Sequence, residues 1–152
     1  MAATKPGKFV YEYPRPALTV DCVLVTRETR PRVLLIQRKN EPFAECWALP
    51  GGFVDEHERL ADAALRELKE ETGLVISELE QLYTAGDPGR DPRGWIVSVA
   101  FLARVDAKKL KAKAGDDAAA VKWVYLDDLP PMAFDHGMLL ERAKARIADR
   151  SA

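Results

Sequence analysis

Glu67, Glu70 and Glu71 place three carboxylates within five residues of the sequence. A helix beginning near Leu60 sets these three carboxylates at i, i+3 and i+4, within an arc of roughly 100°. Like charges at such spacings cost a few tenths of a kcal/mol per pair in an isolated helix. The cluster therefore gains from a positive group placed among its members. Hard divalent cations such as Mg²⁺ take oxygen ligands, commonly one or two carboxylates together with substrate phosphates. On the same helix Ala61, Ala64, Leu65 and Leu68 form an apolar stripe, with the carboxylates expected to face away from it. Gly73 is placed as a left-handed cap, and Leu74 supplies the hydrophobic contact that often follows such a cap. A Glu-rich helix face is more often only a solvated surface. What separates this one is its context: a Gly51-Gly52 turn with an apolar run before it, and another apolar run after the helix.

Other groups can complete a site. The segment GDPGRDPRG, Gly86 to Gly94, is rich in glycine and proline and reads as a loop. Its Arg90 and Arg93 can present planar forks to phosphate, or serve only as solvated charges. Arg38 is open between surface charge and phosphate contact. Asp116 and Asp117 follow Gly115. They can lend a metal ligand or the base that activates water, or simply cap a turn. Phe134 can stack on a base and His136 can hydrogen-bond one. The plainer role for His136 is capping the last helix.

These residues need a frame. Ala17 to Thr26 and Val33 to Arg38 are apolar and β-branched, and the charged turn between them makes a hairpin. Leu74 to Ala85, Trp95 to Val105 and Ala119 to Leu126 read as further strands. Gly137 to Asp149 reads as a closing helix buried through Leu139, Leu140, Ala143 and Ile147. Strands dominate, with one helix among the acidic residues and one at the end. That pattern fits an α+β fold, a mixed sheet held between helices. Residues 1–16 form an extended, polar N-terminal lead, and 1–152 is expected to be a single domain.

Composition narrows the partners. The chain has 152 residues, 47% hydrophobic and 31% charged, with a net charge of -1. No global field favours nucleic acid or an anionic membrane. The start, MAATKPGKF, lacks the apolar core of a signal peptide, and no apolar run is long enough to span a bilayer. Cys22 and Cys46 sit in unrelated settings without paired histidines, so no zinc site is suggested and two free thiols are expected. No nucleic-acid partner and no membrane are expected, and the expected setting is the cytoplasm.

The stretch GGFVDEHERLADAALRELKEETGL resembles the Nudix box, Gly-x5-Glu-x7-Arg-Glu-U-x-Glu-Glu-x-Gly-U with U apolar, at every specified position. The resemblance implies a Nudix-type α/β/α sandwich with a mixed β-sheet. It also implies Mg²⁺- or Mn²⁺-dependent hydrolysis of a nucleoside diphosphate linked to another group. Glu67, Glu70 and Glu71 become metal ligands, joined by the carbonyl of Gly51. Glu58 and Arg66 become an ion pair pinning the loop to the helix, a structural role shared with Gly52 and Gly73. The catalytic base is left open among Glu67, Glu71, Asp116 and Asp117. The DPGRDPRG loop, with Pro88 15 residues past Gly73, looks like the ADP-ribose pyrophosphatase branch, which implies hydrolysis of ADP-ribose to AMP and ribose 5-phosphate. Other Nudix substrates are the first alternative: an oxidised nucleoside triphosphate, a dinucleotide or a different sugar nucleotide. A non-catalytic ADP-ribose sensor is the second. Nudix-related regulators carry an added DNA-binding domain and often an eroded box, and both features weigh against that alternative. Relatives are frequently dimers, so a homodimer is expected.

Overall fold

A computed structural model describes residues 7, 9–115 and 118–151. Among them, strands β1 (Ala17–Thr26), β2 (Arg32–Arg38), β3 (Trp47–Ala48), β4 (Gly51–Phe53), β5 (Glu80–Ala85), β6 (Ile96–Val105) and β7 (Ala118–Tyr125) form one mixed sheet. Its order is β3-β2-β1-β6-β5, with β4 added on β1 and β7 on β2. The β1–β6 pairing is parallel along its whole length, from Ala17 opposite Ile96 to Thr26 opposite Val105. The other strand pairings are antiparallel. Helices α1 (Leu60–Thr72) and α2 (His136–Ser151) cover opposite faces.

Side-chain alternation separates two cores. Val23 and Val25 of β1, Val33 and Leu35 of β2, and Ala100 and Leu102 of β6 pack with Leu139, Leu140 and Ala143 of α2. Their neighbours Val20, Cys22, Leu24, Leu34, Val99 and Phe101 pack with Ala63, Ala64 and Leu68 of α1. The central strand is covered on both faces, so its sequence is nearly continuous in apolar residues. The sandwich and the mixed sheet expected from the sequence are therefore present.

Two details differ. Leu74 to Leu79 does not pair in the sheet: Leu74 and Ile76 tuck into the α1-side core while Val75 is 69% exposed, and pairing begins at Glu80. The apolar stretch before the glycine turn and the turn itself form the short strands β3 and β4, whose two and three residues carry no measurable period in the sequence. Among the described residues no helix is long and apolar enough to cross a membrane.

Candidate active site

Strand β4 carries the glycine turn alongside β1, with Gly51 opposite Asp21 and Gly52 opposite Val20. It also lies against α1. A Cβ on Gly52 would stand 2.4 Å from the carboxyl carbon of Glu67, so a larger residue here would displace that carboxylate. The Gly51 N–H donates to Oε1 of Glu71 at 2.9 Å, tying the turn to the last turn of the helix. Glu71 is accordingly buried, at 9% exposure, together with Ala63, Ala64, Leu68 and Thr72. This corrects the expectation that all three carboxylates face away from the apolar stripe. Glu71 lies seven residues beyond Ala64, two turns along almost the same line of the helix. Leu65, expected in the stripe, is only half-buried. Gly73 ends the helix as expected, with φ 74° and its N–H donating to the carbonyl of Lys69.

Arg66 organises the rest of the acidic face. Its Nε and Nη2 donate to the two oxygens of Glu58 at 2.8 and 2.9 Å, and Nη2 also donates to the Phe53 carbonyl at 3.0 Å. Its Nη1 reaches Glu67 at 2.7 Å and Glu70 at 3.3 Å. Glu58 Oε1 accepts the Asp55 N–H at 3.0 Å, closing the loop onto the helix. The Arg66 fork holds the Glu58 carboxyl below its usual range, and Glu58 in turn raises the Arg66 guanidinium. Burial pushes the Glu67 carboxyl up, and Arg66 opposes that shift.

A cleft of ≈ 560 Å³ opens beside these groups. Its lining carries both signs of charge: Asp55, Glu67, Glu70 and Glu71 are acidic, and Arg38, Lys39 and Arg66 are basic. A narrow inner end of ≈ 80 Å³ continues past Arg38, Gly51 and Glu71 to Asp21, Arg90 and His136. The Arg38 Nε donates to the Pro42 carbonyl at 2.7 Å, and its guanidinium lies 4.9 Å from the ring centre of Phe134. Burial lowers the pKa of Arg38, and the neighbouring Arg93 cation adds to that shift. Arg93 pairs with buried Asp91 at 2.7 Å and sits over the rings of both Phe53 and Phe134.

Arg90 and His136 are engaged by the protein. The Arg90 side chain, 5% exposed, donates through Nε at 2.8 Å and Nη2 at 2.6 Å to Asp135, joining the 86–94 loop to the start of α2. His136 Nδ1 accepts the Leu49 N–H at 3.0 Å, and Nε2 lies 3.4 Å from Asp21 Oδ1. Its side chain is therefore not simply a helix cap. It holds the backbone just ahead of the glycine turn. The Ser98 hydroxyl donates to the other oxygen of Asp21. Asp21 and Ser98 are not among the site residues expected from the sequence. A carboxylate inside an apolar strand was the available signal, since a buried charge must be paired or hydrogen-bonded. Asp116 and Asp117 lie outside the described residues; the chain just before them is fastened to α1, with Lys113 N–H donating to Thr72 O and Gly115 N–H to Glu71 O, each at 2.8 Å.

Among the described residues no three Asp, Glu, His or Cys side chains are gathered closely enough to hold an ion. The Arg66 Nη1 lies 2.7 Å from Glu67 and 3.3 Å from Glu70. The donors themselves suit a hard divalent cation: they are carboxylate and carbonyl oxygens, and Gly52 leaves the space beside Glu67 that a Cβ would fill.

A family profile described as NUDIX domain matches residues 15–143. An ADP-ribose pyrophosphatase of Methanocaldococcus jannaschii is 43% identical over 129 residues, which cover 85% of this chain and 73% of that protein. The ADPR responsive transcriptional repressor NtrR of Acinetobacter baylyi is 38% identical over 145 residues, 92% of this chain but only 58% of the repressor. Among solved structures, the NUDIX domain of Shewanella oneidensis NrtR complexed with ADP ribose has a TM-score of 0.81 at 41% identity, covering 89% of this chain and 90% of that one. A MutT/nudix family protein from Enterococcus faecalis has a TM-score of 0.83 at 40% identity, covering 93% of this chain and 66% of that one. This chain belongs to the NUDIX domain family.

Proposed function

We propose that this chain is a divalent-metal-dependent hydrolase that cleaves ADP-ribose to AMP and ribose 5-phosphate. The observation that carries the proposal is a single cleft lined by the carboxylates Glu67, Glu70 and Glu71 together with the cationic Arg38 and Lys39. The similarity to an ADP-ribose pyrophosphatase and to an ADP-ribose-bound domain supports the choice of substrate. Glu67, Glu70, Glu71 and the Gly51 carbonyl are the groups to hold Mg²⁺ or Mn²⁺. Such an ion supplies positive charge that neutralises the diphosphate and acidifies water. Arg38 lines the cleft, and its role in this reading is to pair with a phosphate, because a guanidinium fork matches phosphate oxygens. A carboxylate within hydrogen-bond reach takes the proton of the attacking water. Glu67, Glu71, Asp116 and Asp117 are the residues to test for that step. Arg66 and Glu58 keep the loop and helix in register, while Gly52 lets them meet.

The similarity to an ADPR-responsive repressor favours a second reading, in which the same cleft senses ADP-ribose without cleaving it. One experiment separates the two. Purified protein is incubated with ADP-ribose and a panel of other nucleotides, with and without Mg²⁺, and products are separated by chromatography. AMP from ADP-ribose, abolished by chelation, is the expected result. Turnover of another nucleotide alone rejects the substrate and keeps the reaction class. Calorimetric binding of ADP-ribose without turnover establishes the sensing reading instead.

A further inference from the structure

A second groove, of ≈ 840 Å³, lies where β1 and β6 end. It runs past Ala61 and Leu65 of α1, Leu79, and Ile147 of α2, and shares no lining residue with the cleft beside the acidic helix face. Arg27 and Arg104 line it. Arg104 stands on β6 opposite Val25, and Arg27 follows the last residue of β1. Each side chain reaches to the other's strand. Arg27 Nη2 donates to the Arg104 carbonyl at 3.1 Å, and Arg104 Nη2 donates to the Thr26 carbonyl at 3.0 Å.

Two positive charges are thus brought together without a counter-charge. Among the described residues neither guanidinium pairs with a carboxylate, whereas Arg30, Arg32, Arg90 and Arg150 each do. Asp62, Glu78 and Glu80 line the same groove, yet none of them pairs with either arginine; Glu80 is taken by Arg150, and Asp62 faces Arg59 at 3.9 Å. Arg104 is half-buried, and its Nε has no acceptor. Among the described residues no other buried side-chain nitrogen or oxygen lacks a partner. Burial lowers the Arg104 pKa, and the Arg27 cation lowers it further. Desolvating an unpaired charge is costly, and a like charge beside it adds to that cost.

We propose that Arg27 and Arg104 form a second anion site, whose ligand is a phosphate group, either free or carried as a monoester. Charge and shape choose phosphate over carboxylate. A phosphate monoester carries about −1.5 to −2 at neutral pH, which matches two guanidinium cations. It also offers three oxygens, enough for two forks, where a carboxylate offers two. Each guanidinium has five N–H donors, and the contacts with the Arg104 and Thr26 carbonyls engage one nitrogen of each. The guanidinium charge is delocalised, so an anion at the Nη groups compensates the buried Nε without touching it. Leu79 and Ile147 give the organic body of a monoester an apolar surface in the same groove.

The test is an NMR titration of the whole chain with inorganic phosphate, with chloride holding the ionic strength constant. Saturable shifts of the Arg104 and Val105 amides are expected. Arg27 is exposed at the end of a strand, so Arg27→Gln leaves the fold intact. The same titration is expected to be weaker by at least about 10-fold in that variant. Thermal melts give a second readout. In chloride Arg27→Gln melts at or above wild type, because a like-charge contact is gone; in phosphate wild type gains more than the variant. Phenyl phosphate identifies the source of the ligand. Tighter binding than inorganic phosphate assigns an organic monoester resting on Leu79 and Ile147, and equal binding assigns the free ion. Phosphate that leaves the Arg104 and Val105 amides unmoved, binds Arg27→Gln as tightly as wild type, or raises both melting temperatures equally overturns the site. None of these outcomes depends on turnover of ADP-ribose, so the proposed function stands or falls separately.

Discussion

The backbone N–H of Gly51 and the carboxylate of Glu71 meet at 2.9 Å across 20 residues of chain. The glycine turn and the end of α1 are thus one mechanical unit. Glu71→Gln separates the carboxylate's two duties. A glutamine oxygen still accepts the Gly51 N–H, so the fold is retained, while the negative charge is lost. The expected outcome is a loss of at least about 100-fold in kcat, with a melting temperature close to wild type. Full activity in this variant would remove Glu71 from the proposed metal site.

Arg66 supplies the positive charge that the acidic helix face requires within the protein itself. Its contacts with Glu58 and Glu67 are mostly buried, with side-chain exposures of 15–16%. Removing one partner of such a pair leaves uncompensated charge, a cost of about 3 kcal/mol. For a chain of this size that corresponds to a melting temperature lower by roughly 6–12 °C in Arg66→Ala. Calorimetry checks this, and added Mg²⁺ is expected to raise the variant's melting temperature more than that of wild type. A variant that melts with wild type contradicts the organising role of Arg66.

Much of this was legible beforehand. Glu67, Glu70 and Glu71 follow from helical spacing, and the cap at Gly73 follows from residue type. The frame was also readable, because β1, β6 and α2 are long and strongly patterned. What escaped depends on contacts between distant segments. The burial of Glu71 requires knowing that β4 lies across the helix. Asp21, Ser98 and His136 belong to three elements and meet only in the fold. The aromatic partners of Arg93 come from β4 and the turn before α2, which no local pattern connects.

His136 gives a prediction about pH. Burial lowers its pKa below 6.5; Asp21 and Asp135 oppose that shift, while Arg90 and Arg38 reinforce it. The unfolded chain takes up a proton near pH 6.5 that the folded chain does not. Its contribution to stability is therefore complete above pH 6.5 and is lost as pH falls through and below it. The urea midpoint is expected to drop between pH 7.5 and 5.5, and to drop less in His136→Gln. An equal slope in both proteins sinks the assignment.

Gly115 fastens the β6–β7 connection to α1. A Cβ there would stand 2.1 Å from the Glu70 carbonyl oxygen, and the Gly115 N–H donates to Glu71 O at 2.8 Å. Gly115→Ala forces that contact apart, at a cost of about 1–3 kcal/mol. A lower urea midpoint together with a lower kcat is expected, since the displaced backbone carries Glu70 and Glu71. An unaltered midpoint shows that the contact carries no strain.

The most direct test is a crystal structure with Mg²⁺ and a non-hydrolysable ADP-ribose analogue. The expected density places an ion at about 2.0–2.1 Å from oxygens of Glu67 and Glu71, in contact with the analogue's diphosphate. An ion and ligand bound elsewhere, with Glu67 still held by Arg66, would contradict the assignment of the acidic helix face as the metal site.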